Sequence, residues 1–285
     1  MINTICVCGA GIMGSGIAQC AAQHGFYALL FDVNEAALQK AKTGIEKSLQ
    51  GLTDKQKITP EQQQKILGNL KYINDINDCL ADVVIEAIIE KPEAKIALFN
   101  QLAEVNHGET IFASNTSSLS VAQIASGVLH PQRVAGMHFF NPATIMKLVE
   151  VVHTPQTLPQ VTETLVQLAK DMGKTPVVCT DTPGFIVNRV ARHYYLEALR
   201  IKEAYPEISF EDIDRSLEAA GFKMGPFRLM DLIGNDINYA VTESLYEAFD
   251  RADRFKPSPI QQQKVQSGEL GRKTGKGYYN YITTA

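Results

Sequence analysis

A short apolar run, Asn3 to Cys8, leads directly into Gly9-Ala10-Gly11-Ile12-Met13-Gly14, then an apolar stretch to about His24, a second run from Tyr27 to Phe31, and Asp32. Few patterns restrict a fold more tightly. Strand, glycine turn, helix, strand and acid, in that order, describe the opening of a doubly wound α/β sheet that grips a dinucleotide. Gly9 permits the tight turn, Gly11 lets a pyrophosphate approach the backbone, and Gly14 lets helix and strand pack closely. The helix N-terminus then offers unpaired N–H groups and a favourable dipole, so Gly9, Ala10, Gly11, Ile12, Met13 and Gly14 are the predicted cofactor cradle. Asp32 is placed to accept hydrogen bonds from an adenosine ribose. A 2′-phosphate there would meet its carboxylate, and no Arg or Lys follows within Val33-Asn34-Glu35, so the pattern selects NAD over NADP. The competing use of Asp32 is as a solvated cap for the next helix.

Residues 35–70 predict a helical hairpin, broken near Gly51-Leu52-Thr53 and restarted after Thr59-Pro60, with Ala37, Ala41, Ile45 and Leu49 spaced as one apolar face. Its lysines make it either a solvated elaboration or a platform for a polyanionic ligand. Asp82 to Ile89 reads as a buried strand with Glu90 at its carboxyl end, and Pro92 opens a helix in its preferred first-turn position. Lys95 in that first turn opposes the helix dipole. This implies a local partner such as Glu90 or a ligand; a surface salt bridge accounts for both residues equally well. A further strand, Ile111 to Ala113, precedes Ser114-Asn115-Thr116-Ser117-Ser118. Ser120 with Gln123 forms a capping-box pattern for the next short helix, which leaves Ser117 available at the strand's carboxyl end or as a turn filler.

From Val134 to Val152 two apolar, strand-like runs each carry one ionisable residue, His138 and Glu150. A carboxylate inside Leu-Val-Glu-Val-Val is expensive to desolvate unless a neighbour satisfies it. Histidine can donate one ring N–H to it and turn the other nitrogen to a ligand as a base. The plainer alternative is an outward-facing Glu and an ordinary core His. Phe140-Asn141-Pro142 ends the first run just past His138, where α/β sites open. A helix from about Leu158 to Met172 and a last strand, Thr175 to Thr180, complete the sheet.

Composition changes at Asp181-Thr182-Pro183-Gly184, which divides the chain into a 1–183 dinucleotide-binding domain and a 184–285 helical domain. The latter predicts helices over Phe185 to Ala204, Phe210 to Ala220 and Met230 to about Phe249, followed by a basic, glycine-rich turn, Gly271 to Tyr279, that is either a surface turn or a lid edge. The expected fold class is thus a Rossmann-type, mostly parallel sheet with a helical hairpin insertion and an all-α C-terminal domain. A net charge of −4 argues against nucleic acid as a partner. No apolar run approaches the length of a membrane span, and a first strand at about Asn3 leaves no room for a leader, so the cytoplasm is the expected compartment. The five cysteines are scattered without metal-like spacing and read as reduced core thiols, with no metal site expected.

With these residues in place, the chain resembles the short-chain L-3-hydroxyacyl-CoA dehydrogenases, including bacterial 3-hydroxybutyryl-CoA dehydrogenases. The resemblance spans essentially the whole chain. It rests on the glycine turn, Ser114 to Ser118, His138-Phe139-Phe140-Asn141-Pro142, Asp181 to Arg189, and Met224-Gly225-Pro226-Phe227. It implies NAD-dependent, reversible oxidation of an (S)-3-hydroxyacyl-CoA to the 3-ketoacyl-CoA, with His138 as base, Glu150 as its orienting partner, and Ser117 and Asn188 around the substrate. It places Glu90, Lys95, Ser117, Asn141 and Lys273 at the NAD site, and Ser48 with Lys55 against coenzyme A. It also implies a homodimer formed through the C-terminal domain. Two other classes compete. The β-hydroxyacid dehydrogenases, which act on small free acids, share the domain plan but use a catalytic Lys; a non-catalytic NAD-binding relative would lack the base.

Overall fold

The computed structural model describes residues 2–281; residue 1 and residues 282–285, the outer ends of the two expected domains, lie outside the described residues. The chain divides into two compact units, Met1–Thr182 and Pro183–Ala285.

In the first unit, β1 (Thr4–Cys8), α1 (Ile12–Gln23) and β2 (Tyr27–Phe31) follow the opening pattern of the sequence. α2 (Glu35–Asp54) and α3 (Pro60–Gly68) form the hairpin, and β3 (Leu70–Ile73) returns to the sheet. Next come β4 (Val83–Glu86), α4 (Pro92–Val105), β5 (Ile111–Ser114), α5 (Val121–Ser126), β6 (Val134–Phe139), β7 (Leu148–His153), α6 (Pro159–Asp171) and β8 (Thr175–Thr180). The eight strands form one sheet in the order β3-β2-β1-β4-β5-β6-β7-β8. Every pairing is parallel except β6 with β7. The order reverses between β1 and β4, which opens the crevice at the carboxyl edge where such sheets bind ligands. The main core holds the inner faces of the strands, with Ile17, Ala18 and Ala21 of α1 and Leu165 and Leu168 of α6 packed onto them.

Three local expectations are corrected, and one strand is added. α2 is unbroken at Gly51, because a helical glycine costs only about 1 kcal/mol against Ala, while Leu38, Ala41, Ile45 and Leu49 bury the helix's inner face and Gln50 and Thr53 hydrogen-bond Gln63 of α3. β3 was hidden by its brevity. The strand expected over Asp82 to Ile89 ends at Glu86, so Glu90 stands beyond it on the connection to α4. Ser120 does cap α5 through the Gln123 N–H, but the reciprocal bond from the Gln123 side chain that a capping box needs is not made, and the Ser120 hydroxyl donates to Asp181 at 2.7 Å.

The second unit is helical: α7 (Val187–Ala204), α8 (Phe210–Ala219), α9 (Pro226–Ile233), α10 (Asn235–Ala248) and α11 (Pro259–Gln266). The long helix expected from Met230 is two, because Gly234 takes a φ of +106° and breaks the ladder between α9 and α10. Likewise Gly184 and Phe185 have positive φ, so α7 begins at Val187. Tyr195, Leu196, Leu199, Ile213, Phe227, Met230 and Tyr278 form the core. Two buried carboxylates organise it. Asp214 accepts the N–H groups of Phe227 and Arg228 at the start of α9. Asp231 accepts those of Tyr278 and Tyr279 and the Tyr281 hydroxyl, which folds the glycine-rich turn back onto α9.

Candidate active site

The glycine turn sits between the ends of β1 and β4. Gly9, at φ +103°, is pressed so closely on Ala87 that a Cβ would lie 2.6 Å from its carbonyl oxygen. A Cβ on Gly14 would stand 1.8 Å from the Gly9 oxygen, so α1 can approach β1 only through glycine. Gly11 is different: a Cβ there would meet nothing within 4 Å. Its face of the turn is open, and no side chain caps α1 at Gly11. The first-turn N–H groups therefore point to a space an anion can fill, which fits the pyrophosphate of NAD. Asp32, at the end of β2, accepts the Ala10 N–H at 2.7 Å and the Asn34 N–H at 2.9 Å. The cap of α2 is Asn34, whose side chain accepts from Ala36 and Ala37. The helix-capping alternative for Asp32 thus fails, and its carboxylate, with four acceptor sites, keeps capacity for a ribose.

Across the crevice, charges alternate inward. Lys95 Nζ lies 2.6 Å from Glu86 Oε1 and 3.0 Å from Glu90 Oε2. The Lys95 and Glu86 side chains are 1% and 0% exposed and Glu90 is 37% exposed, which overturns the surface salt bridge. Glu90 Oε1 also accepts the Thr116 hydroxyl at 2.5 Å and the Ser117 N–H at 3.0 Å. Burial acts to raise the Glu90 carboxyl, but the Lys95 ammonium and these hydrogen bonds outweigh it and hold it below the usual carboxylate range. For Glu86, burial wins over the same ammonium and pushes the carboxyl up. Glu86 went unnoticed in the sequence; its signal is an acid closing an apolar strand with a lysine at the head of the next helix.

His138 and Glu150 are register partners across the antiparallel β6–β7 pair. His138 Nδ1 and Glu150 Oε2 are 2.8 Å apart, and both residues are buried. Side chains alternate along strands. Met137, Phe139, Val149 and Val151 enter the main core, so the pair faces the other side of the sheet. Phe140 packs on the imidazole with ring centroids 4.5 Å apart. The turn that follows is held by Lys174, which donates to the carbonyls of Ala143 and Met146. Asn115 Oδ1 accepts the Phe139 N–H at 2.8 Å and ties the β5 exit to the strand that carries His138.

The remaining predicted residues divide by unit. Asn141 is exposed on the turn after β6, beside a cleft of about 180 Å³ bounded by Ile12, Ser15, Gln19, Gly44 and Thr144. Ser48 is exposed on α2 and accepts from Gln19 of α1 at 3.1 Å, and Lys55 is the exposed C-cap of α2. In the second unit, Asn188 lies half-buried in the first turn of α7, and Lys273 pairs with Asp236. The structure thus brings together the glycine turn with Asp32, Glu90 with Lys95 and Ser117, and His138 with Glu150. Among the described residues no cluster of acidic, His or Cys side chains could hold a metal ion, and no helix is long and apolar enough to cross a membrane.

Comparison with known proteins adds a family. The profile of the 3-hydroxyacyl-CoA dehydrogenase NAD binding domain matches residues 4–182, and that of the 3-hydroxyacyl-CoA dehydrogenase C-terminal domain matches residues 184–281. A 3-hydroxyadipyl-CoA dehydrogenase of Escherichia coli is 48% identical over 98% of this chain and 59% of its own length. The mitochondrial hydroxyacyl-coenzyme A dehydrogenase of Rattus norvegicus is 42% identical over 99% of this chain and 92% of its own. Among solved structures, 3-hydroxybutyryl-CoA dehydrogenase from E. coli aligns with a TM-score of 0.96 at 47% identity, covering 100% of this chain and 61% of that one. The (S)-3-hydroxybutyryl-CoA dehydrogenase PaaH1 from Ralstonia eutropha aligns at 0.94 and 35% identity, covering 99% of this chain and 100% of that one. The chain therefore spans about three fifths of the E. coli relatives and nearly all of the others.

Proposed function

The chain belongs to the 3-hydroxyacyl-CoA dehydrogenase family, with an N-terminal NAD-binding domain, and on that premise we propose that it interconverts a short-chain (S)-3-hydroxyacyl-CoA and the 3-ketoacyl-CoA. The observation that carries this reading is the buried His138–Glu150 pair, 2.8 Å apart at the end of a strand in the sheet that holds the glycine turn.

NAD would supply the hydride acceptor for C3 of the substrate. Gly9 to Gly14 would hold its pyrophosphate and Asp32 its adenosine ribose, and Glu90, Lys95, Asn141 and Lys273 are the further residues assigned to it. The oxidation also releases a hydroxyl proton, and His138 takes it. With Nδ1 committed to Glu150, Nε2 is the nitrogen that serves as base. Glu150 fixes the tautomer and stabilises the imidazolium as it forms. Ser117 and Asn188 hold the hydroxyl and thioester in line, while Ser48 and Lys55 meet coenzyme A. In the reverse direction protonated His138 is the acid. The protein works as a homodimer through its helical unit and in the cytoplasm; its described cysteines are all free, which fits a reducing compartment.

The test is steady-state turnover with NAD and a series of substrates: (S)-3-hydroxybutyryl-CoA, longer acyl chains, 3-hydroxyadipyl-CoA and free 3-hydroxybutyrate. Turnover confined to thioesters supports the proposal. Preference for the free acid would replace it with the β-hydroxyacid class.

A further inference from the structure

We propose that Glu86 is a positioning residue of the cofactor site, fixing Lys95 beneath Glu90 and tying both to the exit of β5. The inference rests on NAD binding at this edge of the sheet and extends it to a residue with no direct view of the crevice.

Glu86 closes β4, between Cys8 at the end of β1 and Ser114 at the end of β5. It therefore stands between the glycine turn and the Ser114–Ser118 loop. Its carboxylate accepts three hydrogen bonds: Oε1 accepts from Lys95 at 2.6 Å and from the Ile88 N–H at 2.8 Å, and Oε2 accepts from the Ser114 hydroxyl at 2.7 Å. Lys95 then reaches Glu90, and Glu90 returns to the same loop at Thr116 and Ser117. The contacts close a ring that begins at Ser114 and ends at Ser117. Of its three charged members only Glu90 is substantially exposed.

Such a ring is a poor way to gain stability. Taking two carboxylates and an ammonium out of water costs much of what their attraction returns, and well-packed apolar residues do as well or better. What the ring does supply is fixed geometry. The second carboxylate holds the Lys95 ammonium back, so that Glu90 can keep Thr116 and Ser117. If the Glu86 charge is removed without changing its volume, Lys95 is drawn to Glu90 alone. The Glu90 carboxylate then moves off the loop that carries Ser117.

The test compares wild type, Glu86→Gln, Lys95→Met and the double variant by calorimetric titration of NADH into the full-length protein, alongside thermal unfolding. Glu86→Gln should weaken NADH binding by on the order of tenfold and lower Tm. Because Lys95 is itself assigned to the cofactor site, the double variant is read against Lys95→Met: with no ammonium left to position, adding Glu86→Gln should cost no further NADH affinity. If Glu86→Gln lowers NADH affinity as much in the Lys95→Met background as in the wild type, or does not lower it in the wild type, Glu86 does not act through Lys95 and the proposal is overturned. Should Glu86→Gln fail to fold, Ser114→Ala removes one of the three donors and should weaken NADH binding in the same direction; unchanged binding would count equally against the idea. No acyl substrate enters these titrations, so an error in the substrate assignment does not disturb them. A wild-type chain that binds no NADH would overturn the cofactor reading and this one with it.

Discussion

Replacing Glu150 by Gln isolates the electrostatic share of the proposed base, because it removes a charge while keeping size and one acceptor oxygen. The pair is separated by 2.8 Å and both members are buried. At that distance and an effective dielectric of about 20, unit charges attract by about 6 kcal/mol. Taking the substrate proton as about half transferred in the transition state, about 3 kcal/mol of this attraction is gained there and not in the ground state. That corresponds to about 10²-fold in rate. The assay is NAD reduction with (S)-3-hydroxybutyryl-CoA under saturating cofactor, with NADH affinity measured separately. Turnover of Glu150→Gln should fall about 10²-fold while NADH affinity stays within about twofold, and His138→Gln should lose about 10²–10⁴-fold. Glu150→Ala adds a second effect: it leaves a buried ring N–H without its acceptor, at about 1–3 kcal/mol of stability. Its Tm should drop further than that of Glu150→Gln. If Glu150→Gln keeps turnover within about threefold of wild type, the pair is structural and the catalytic assignment fails.

Other expectations follow from single contacts. Gly14→Ala forces a methyl against the Gly9 carbonyl and should cost about 1–3 kcal/mol with loss of NADH binding, whereas Gly11→Ala should keep its Tm and weaken only NADH binding, both readable by thermal shift with and without cofactor. Because the folded Glu90 carboxyl lies below its unfolded range, its contribution is present above about pH 4.3 and is lost as pH falls through the folded value. The Tm difference between wild type and Glu90→Gln should therefore be largest near neutrality and close in acid. Asp231→Asn sets an amide donor against one of the Tyr278 and Tyr279 N–H groups and should destabilise the helical unit by about 1–3 kcal/mol in denaturant titration.

What the sequence revealed, and what it hid, follows from how far each signal reaches along the chain. The glycine turn is legible because strand, turn, helix and acid are contiguous, and their order alone prescribes the close packing of Gly14 on Gly9. The His138–Glu150 pair is legible for another reason: a charge inside each of two adjacent apolar runs demands a partner, and the runs are near enough to be neighbours. Glu86 was missed because its partners come from three places, Ile88 beside it, Lys95 on the next helix and Ser114 on the next strand. No short window contains that set. Glycines misled in both directions. Gly51 sits inside a helix whose buried face outweighs its propensity, and Gly234 breaks one because its φ is positive, a property composition does not carry.

The single antiparallel pairing in the sheet gives these parts their common logic. A parallel neighbour to β6 would need a long crossover and would present its residues on a slanted register. β7 instead returns after a short turn, so His138 and Glu150 fall directly opposite each other, where side chains on one face lie within contact distance without strain. The same return runs the chain past Lys174, which pins the turn that carries Asn141. Shifting the register by one residue would send Glu150 to the face of Met137 and Val151, into an apolar core with no donor for it. The energetic cost of a misplaced carboxylate thus enforces the geometry that proton transfer needs. At the β4 end of the crevice Glu86 is subject to the same rule: its carboxylate is tolerated in the sheet where Lys95 is in place to pair with it.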